Sequence, residues 1–268
     1  MFEQRSLSGE LDELRDEHAP ETLVLDVERD FETLPSAVAE SLLAVADSVD
    51  PADYDESWIP DDAPETLHRL AGDDFTVGAP GDGGVAWTRQ TDPPIVLVKP
   101  RLEGSPDGFV DFLVAEALVE IGLGGPEHFL GFFEDDYRSL ADATSLGSAD
   151  TYQLAAALVA AFVGRSARPV FADWADAFPR LYAEWVDAGE RLEPRLADLP
   201  RDVALGRTSF PDAAELACSA IKHDVEVPTP FDALDTAAYD QYEAEFAVRW
   251  AEKTFDVLEA DDGGDPGA

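Results

Sequence analysis

Two glutamates, Glu116 and Glu120, stand four residues apart inside Phe109–Ile121, a stretch in which ten of thirteen positions are apolar. On a helix that spacing puts both carboxylates on one face. Desolvating an ionised carboxylate is costly, so two of them on a largely buried helix call for cationic partners, a bound cation or protonation. His128 follows just after the turn that ends the stretch, beside Glu127. Glu116, Glu120 and His128 therefore form the candidate catalytic set, an acid–base or metal-assisted hydrolytic site. The sequence identifies neither the metal nor any cofactor. The competing explanation is structural: the glutamates mark the helix's solvent stripe, or pair with cations upstream.

Those cations are scarce. Three lysines and fifteen arginines face 58 acidic residues, for a formal charge of −40. Arg89, Lys99 and Arg101 nevertheless fall within thirteen residues. They are the candidate binding set for an anionic small molecule, and a lysine abutting a β run equally suits an internal acidic partner. The arrangement supports two expectations: a non-catalytic binding or interaction protein using the basic trio, or an enzyme using the acidic pair and the histidine.

Other motifs carry less. The glycine-rich residues 78–84 lead into a strand rather than a helix, so they offer no helix N-terminus to a phosphate and read as a hairpin turn. No Gly-x-Ser-x-Gly elbow occurs. Cys218 and His223 are five apart on one expected helix, about 140° around its axis, so they face different ways. His18 and His68 belong to no pattern.

The elements that must position these residues follow from periodicity. Short helices are expected around Leu7, Leu11 and Leu14, along Leu23, Val27, Phe31 and Leu34, after Pro35, and from Pro64 through Leu67 and Leu70. An irregular stretch, residues 50–64, separates the last two. Phe75–Val77, Val85–Thr88 and Ile95–Val98 read as three strands separated by strong turn signals, an antiparallel meander. Ser105 then caps the apolar helix, which Gly124 ends. The next helix runs through Phe129 to Tyr137. Further helices are expected at 152–163, 170–178, 181–192, 213–222 and 236–258, the last with an aromatic stripe of Tyr239, Tyr242, Phe246 and Trp250. The fold class is α+β, predominantly α, with helices around a small three-stranded antiparallel meander. Residues 1–260 read as a single domain with a seam near 142–150, and 261–268 as a disordered acidic tail.

Composition bounds the function classes. With 45% apolar residues the chain can bury a sizeable core, unlike disordered acidic chains. Its acids are spread along the whole length, so hydrated carboxylates with associated cations are expected over the surface. No basic stripe exists to neutralise phosphates, which argues against nucleic-acid binding. A single cysteine excludes an intramolecular disulfide. The absence of an apolar leader, and a longest uncharged apolar run of Leu154–Gly164, predict a cytoplasmic protein without membrane spans. A protein partner and an oligomeric state are not legible.

Two resemblances add to this. A β-meander followed by a helix reading Ala115-Glu116-Ala117-Leu118-Val119 resembles the zincin metalloprotease layout, with Glu116 at the place of the general base. The two positions for metal-binding histidines hold Ala115 and Val119, so the resemblance implies a degenerate relative without hydrolysis. The whole chain resembles uncharacterised proteins of salt-loving archaea, on residues 85–94 (VAWTRQTDPP) and 248–253 (VRWAEK). That resemblance implies a salt-rich cytosol and no mechanism.

Overall fold

The computed structural model describes residues 2–7, 9–72, 74–79 and 81–262. Its centre is a four-stranded mixed sheet in the order β1 (Phe2–Gln4), β2 (Leu23–Val27), β6 (Ile95–Val98), β4 (Val85–Thr88). β6 lies parallel to β2, pairing Leu23 with Ile95, and antiparallel to β4, pairing Val85 with Val98. All four residues of β6 are buried, as an unbroken apolar run in a central strand requires. A second sheet pairs β3 (Ser48–Val49) with β5 (Thr91–Asp92).

Alternation along the strands divides the two faces of the large sheet. Val24, Val96 and Val98 pack toward α1 (Glu10–His18) and α4 (Asp107–Leu123). Leu25, Ile95 and Leu97 pack toward Leu34, Ala39, Leu42, Phe75 and Val77. That second cover includes α2 (Ser36–Ala39) and the 3₁₀ turn that follows it, and α3 (Glu65–Ala71) comes later in the chain. Gly122 lets α1 come close to α4, since a Cβ there would lie 2.4 Å from the His18 carbonyl oxygen.

The C-terminal half is helical: α5 (Phe129–Phe133), α6 (Asp136–Asp142), α7 (Ser148–Ala172), α8 (Trp174–Ala177), α9 (Pro179–Ala204), α10 (Phe210–Ala220) and α11 (Ala237–Asp262). α11 is kinked at Glu243, whose φ of 42° lies in a region that favours glycine. α7 bridges two cores, with Leu154, Leu158 and Ala161 in the helical cluster and Ala167 and Phe171 in the cluster beneath the sheet. By length and composition α7 would suffice to cross a membrane; half of its apolar window is buried here by neighbouring elements. Gly124, at φ 70°, closes α4 in the left-handed conformation that a glycine C-cap supplies.

The α+β, predominantly α class holds, and four details of the sequence reading need correcting. Leu23–Val27 is a strand, although Leu23, Val27, Phe31 and Leu34 repeat at helical spacing. Both faces of this strand are covered, and an apolar run buried on two sides loses its period-two signature. The expected three-stranded meander is instead a mixed four-stranded sheet, because β2 inserts beside β6. Phe75–Val77 contributes only an isolated bridge, Val77 with Leu34. Pro106 rather than Ser105 occupies the cap of α4, without a side-chain hydrogen bond. Of the expected acidic tail, 261–262 belong to α11 and 263–268 lie outside the described residues.

Candidate functional site

The acidic pair on α4 lies where the spacing put it, but a residue from the far half of the chain answers it. Lys222, in the 3₁₀ turn Ile221–His223 after α10, forms an ion pair and hydrogen bond with Glu116 Oε1. Burial disfavours the Lys222 charge, yet Glu116 and Glu120 more than offset it and hold its pKa above the usual lysine value. Glu120 Oε2 accepts a hydrogen bond from Trp87 Nε1 at 2.8 Å. Its pKa is pushed up to about 7 by burial first and by repulsion from Glu116 second, against the pull of Lys222 and the indole N–H. Ala115 and Val119, flanking Glu116, are packed in the core. Glu116, Glu120 and Lys222 form a largely self-neutralised clamp between α4 and the turn after α10, with Glu116 buried and Glu120 and Lys222 half-buried.

His128 is not part of that clamp. It caps α5, its Nδ1 accepting from the Leu130 N–H at 3.3 Å. Burial holds its pKa down to about 3, so the ring is neutral. With Nδ1 accepting, the ring proton belongs on Nε2. That atom is fully buried and has no hydrogen-bond partner among the described residues. His128 lines a small cleft with an internal volume of about 30 Å³. Other walls come from Tyr54, Asp82, Trp87, Gln90 and Glu127.

The polar wall of this cleft is built rather than incidental. Glu127 Oε1 accepts from Thr88 Oγ1 and Gln90 Nε2, each at 2.7 Å, and its Oε2 accepts from the Arg89 N–H at 2.8 Å. Gln90 also donates from Nε2 to the Thr76 carbonyl at 2.8 Å and accepts from the Ala52 N–H at 3.0 Å. One side chain thus ties three otherwise irregular segments to the end of β4. Asp82 Oδ2 accepts from the Ala79 N–H at 2.6 Å. Burial pushes its pKa up to about 6, and nearby Lys99 only partly opposes that. Tyr54 is driven up to about 12, by burial first and by Glu127 second.

The basic trio divides. Arg101 is held by Asp30 and Glu32, with N–H to carboxylate distances of 2.8 Å. Arg89 donates to the Gly125 carbonyl and lies over the Trp87 ring, 5.4 Å from its centroid. Lys99 is buried; its Nζ makes no hydrogen bond among the described residues and sits 4.6 Å from the centre of the Phe31 ring. The three do not converge on a shared cleft. Neither do Glu116 and Glu120 converge with His128: Trp87 stands between, donating to Glu120 while lining the cleft that contains His128.

A model of a protein family matches residues 1–258. The chain belongs to DUF7089, a family of unknown function. No curated protein and no solved structure shows a match. For this DUF7089 member the cleft is therefore judged on its own chemistry. A larger groove of about 570 Å³ between α6 and the end of α11 is lined by Asp142, Glu252, Asp256 and Glu259. In a chain of charge −40 such a cluster needs no ligand to explain it, and among the described residues its lining contains no orphaned buried group. Among the described residues no three His, Cys, Asp or Glu side chains are placed to hold a metal ion.

Sequence reasoning overlooked Lys222, Gln90, Thr88 and Asp82. Lys222 carried the signal that was read for Lys99: it is one of three lysines. Thr88 and Gln90 carried a weaker one, as polar residues closing an otherwise apolar strand.

Proposed function

We propose that this protein is a non-catalytic binding protein whose site is the cleft between Tyr54, Trp87 and the Glu127–His128 turn. The carrying observation is the buried Nε2–H of His128, left without a partner among the described residues, in a cleft also lined by Glu127, whose carboxylate three donors hold in place. A desolvated donor of that kind costs about 1–3 kcal/mol unless something bonds to it, and a ligand polar group would recover that loss. Support for an anionic ligand weakens, because Arg101 is neutralised by Asp30 and Glu32 and the cleft presents Asp82 and Glu127. Support for hydrolysis weakens too, because Glu116 is occupied by Lys222.

The excess of acids and the dearth of lysine favour a concentrated-salt cytosol as the working environment. At about 1 M salt the Debye length falls to roughly 3 Å, and the self-repulsion of a −40 chain is screened. Loss of compactness on dialysis into dilute buffer is the expected behaviour, read by small-angle scattering.

Thermal shift in molar KCl tests the binding reading. A panel of small polar metabolites is applied to the wild type and to Gln90→Ala, which unties the cleft wall. Ligand at a hundredfold excess over its Kd adds about 2.7 kcal/mol, or about 5–10 °C in a chain of this size. A shift of that order in the wild type, reduced in the variant, is expected. Silence across the panel, or equal shifts in both proteins, would overturn the assignment.

A further inference from the structure

The cleft's unused hydrogen-bonding capacity defines a ligand chemistry. Among the residues lining the cleft, which include the carboxylates of Asp74, Asp82 and Glu127, His128 carries a buried Nε2 donor with no acceptor among the described residues. Glu127 has accepted three hydrogen bonds, so of the roughly four lone-pair positions of a carboxylate about one is left. Among the described residues Asp82 accepts one hydrogen bond, through Oδ2. The cleft therefore asks for a group that accepts once and donates at least once within a few ångströms. Its volume, about 30 Å³, admits a single small group. Around it stand the Trp87 and Tyr54 side chains.

We propose that the cleft binds a hydroxyl group of a neutral polyol or sugar, which accepts from His128 Nε2–H and donates to Glu127 or Asp82, while its carbon skeleton lies against Trp87 and Tyr54. This rests on the binding reading above and narrows it to a ligand class. Three alternatives fit less well. An ammonium group has no lone pair for the imidazole N–H. A carboxylate or phosphate would accept from His128 but would meet Asp82 and Glu127. A planar amide offers both functions only through two separate atoms, whereas a single hydroxyl oxygen both accepts and donates. Nε2 is covered in this state, so the hydroxyl enters through a small displacement of the cleft wall.

The test uses the full chain in molar KCl, with histidine labelled by nitrogen-15 and four separate probes: methyl α-glucoside, glycerol, methylammonium and inorganic phosphate. The expected result is a saturable shift of the His128 Nε2–H resonance with the glucoside or glycerol, and no shift with the other two. His128→Asn keeps a residue suited to capping a helix N-terminus but removes the ring donor; affinity should fall at least tenfold while the melting temperature stays within a few degrees. Asp82→Asn gives an independent check on the accepting side and should weaken the same probes several-fold. A response to methylammonium or phosphate instead would overturn the hydroxyl assignment while leaving a binding cleft. If no probe moves the resonance, although the metabolite panel produces cleft-dependent thermal shifts, the ligand class is wrong. Silence in both experiments ends both readings.

Discussion

Lys222 and Lys99 are both drawn into the interior, and their surroundings treat them oppositely. Lys222 reaches Glu116 directly and feels Glu120 behind it, so its charge is held more firmly than in water. Lys99 is 1% exposed and makes no hydrogen bond from Nζ among the described residues; burial lowers its pKa, and Asp82, Glu32 and Asp30 only partly restore it. The first is a paired charge serving architecture. The second is a near-orphan beneath Phe31, close to a carboxylate whose own pKa is raised. Pairing marks the architectural part of this molecule's buried polarity, and incompleteness marks the part on which the binding proposal rests.

Breaking the paired site should produce the largest effect. Lys222→Met leaves Glu116 and Glu120 facing each other without a cation, and removing one partner of a buried pair costs about 3–5 kcal/mol. Denaturant titration in molar KCl reads this directly. The double variant Lys222→Met with Glu116→Gln should recover most of the loss, because the penalty comes from the stranded carboxylate rather than from missing attraction. Equal losses in the single and double variants would mean that Lys222 acts through packing, for example against Gly164.

A smaller effect is expected at Glu120. Its folded-state pKa, about 7, lies above the ordinary 4.5, so the folded protein binds a proton more tightly than the unfolded chain. Its contribution is therefore most favourable below about pH 4.5 and is lost as pH rises through about 7. Glu120→Gln retains an oxygen for the Trp87 N–H and cannot ionise. The variant should gain on the wild type between those pH values, by an amount of the order of 2 kcal/mol at pH 8. Subtracting the two stability profiles cancels Asp82, which shifts in the same direction. A flat difference would show that Glu120 is ionised throughout.

The two regions differ also in how far the sequence announced them. Glu116 and Glu120 were visible because an apolar helix with two acids at spacing four breaks a local pattern. Their partner was not, since Lys222 lies more than a hundred residues away and the packing of the turn after α10 on α7 and α9 brings it there. The cleft was harder still. Glu127 is legible only as a neighbour of His128, and the donors that fix it come from Thr88, Arg89 and Gln90, at the end of a strand whose sheet partners were only partly foreseen. Local periodicity reports burial, so α4, α9 and α10 were readable; β2 misled because burial on both faces leaves no period. Convergence of polar groups from four segments has no periodicity at all.

Lys99 offers the sharpest small test of the comparison. Lys99→Met keeps an unbranched chain of similar volume over the Phe31 ring and removes a charge that has no hydrogen-bond partner among the described residues. Volume-conserving core changes usually cost less than about 1.5 kcal/mol, and here removal of a poorly solvated charge works in the opposite direction. Stability at pH 7 should therefore stay within about 1 kcal/mol of the wild type, against the several lost at Lys222. The pH profile should change more than the stability does. Lys99 is the chief cation restraining Asp82, so without it the Asp82 carboxyl rises further above about 6 and its transition moves toward neutrality. The Asp82 carboxyl carbon resonance, followed by carbon-13 NMR between pH 4 and 8, reads that movement. A loss of 3 kcal/mol or more would place Lys99 in the same class as Lys222, and the contrast between a paired and an incomplete interior would fail.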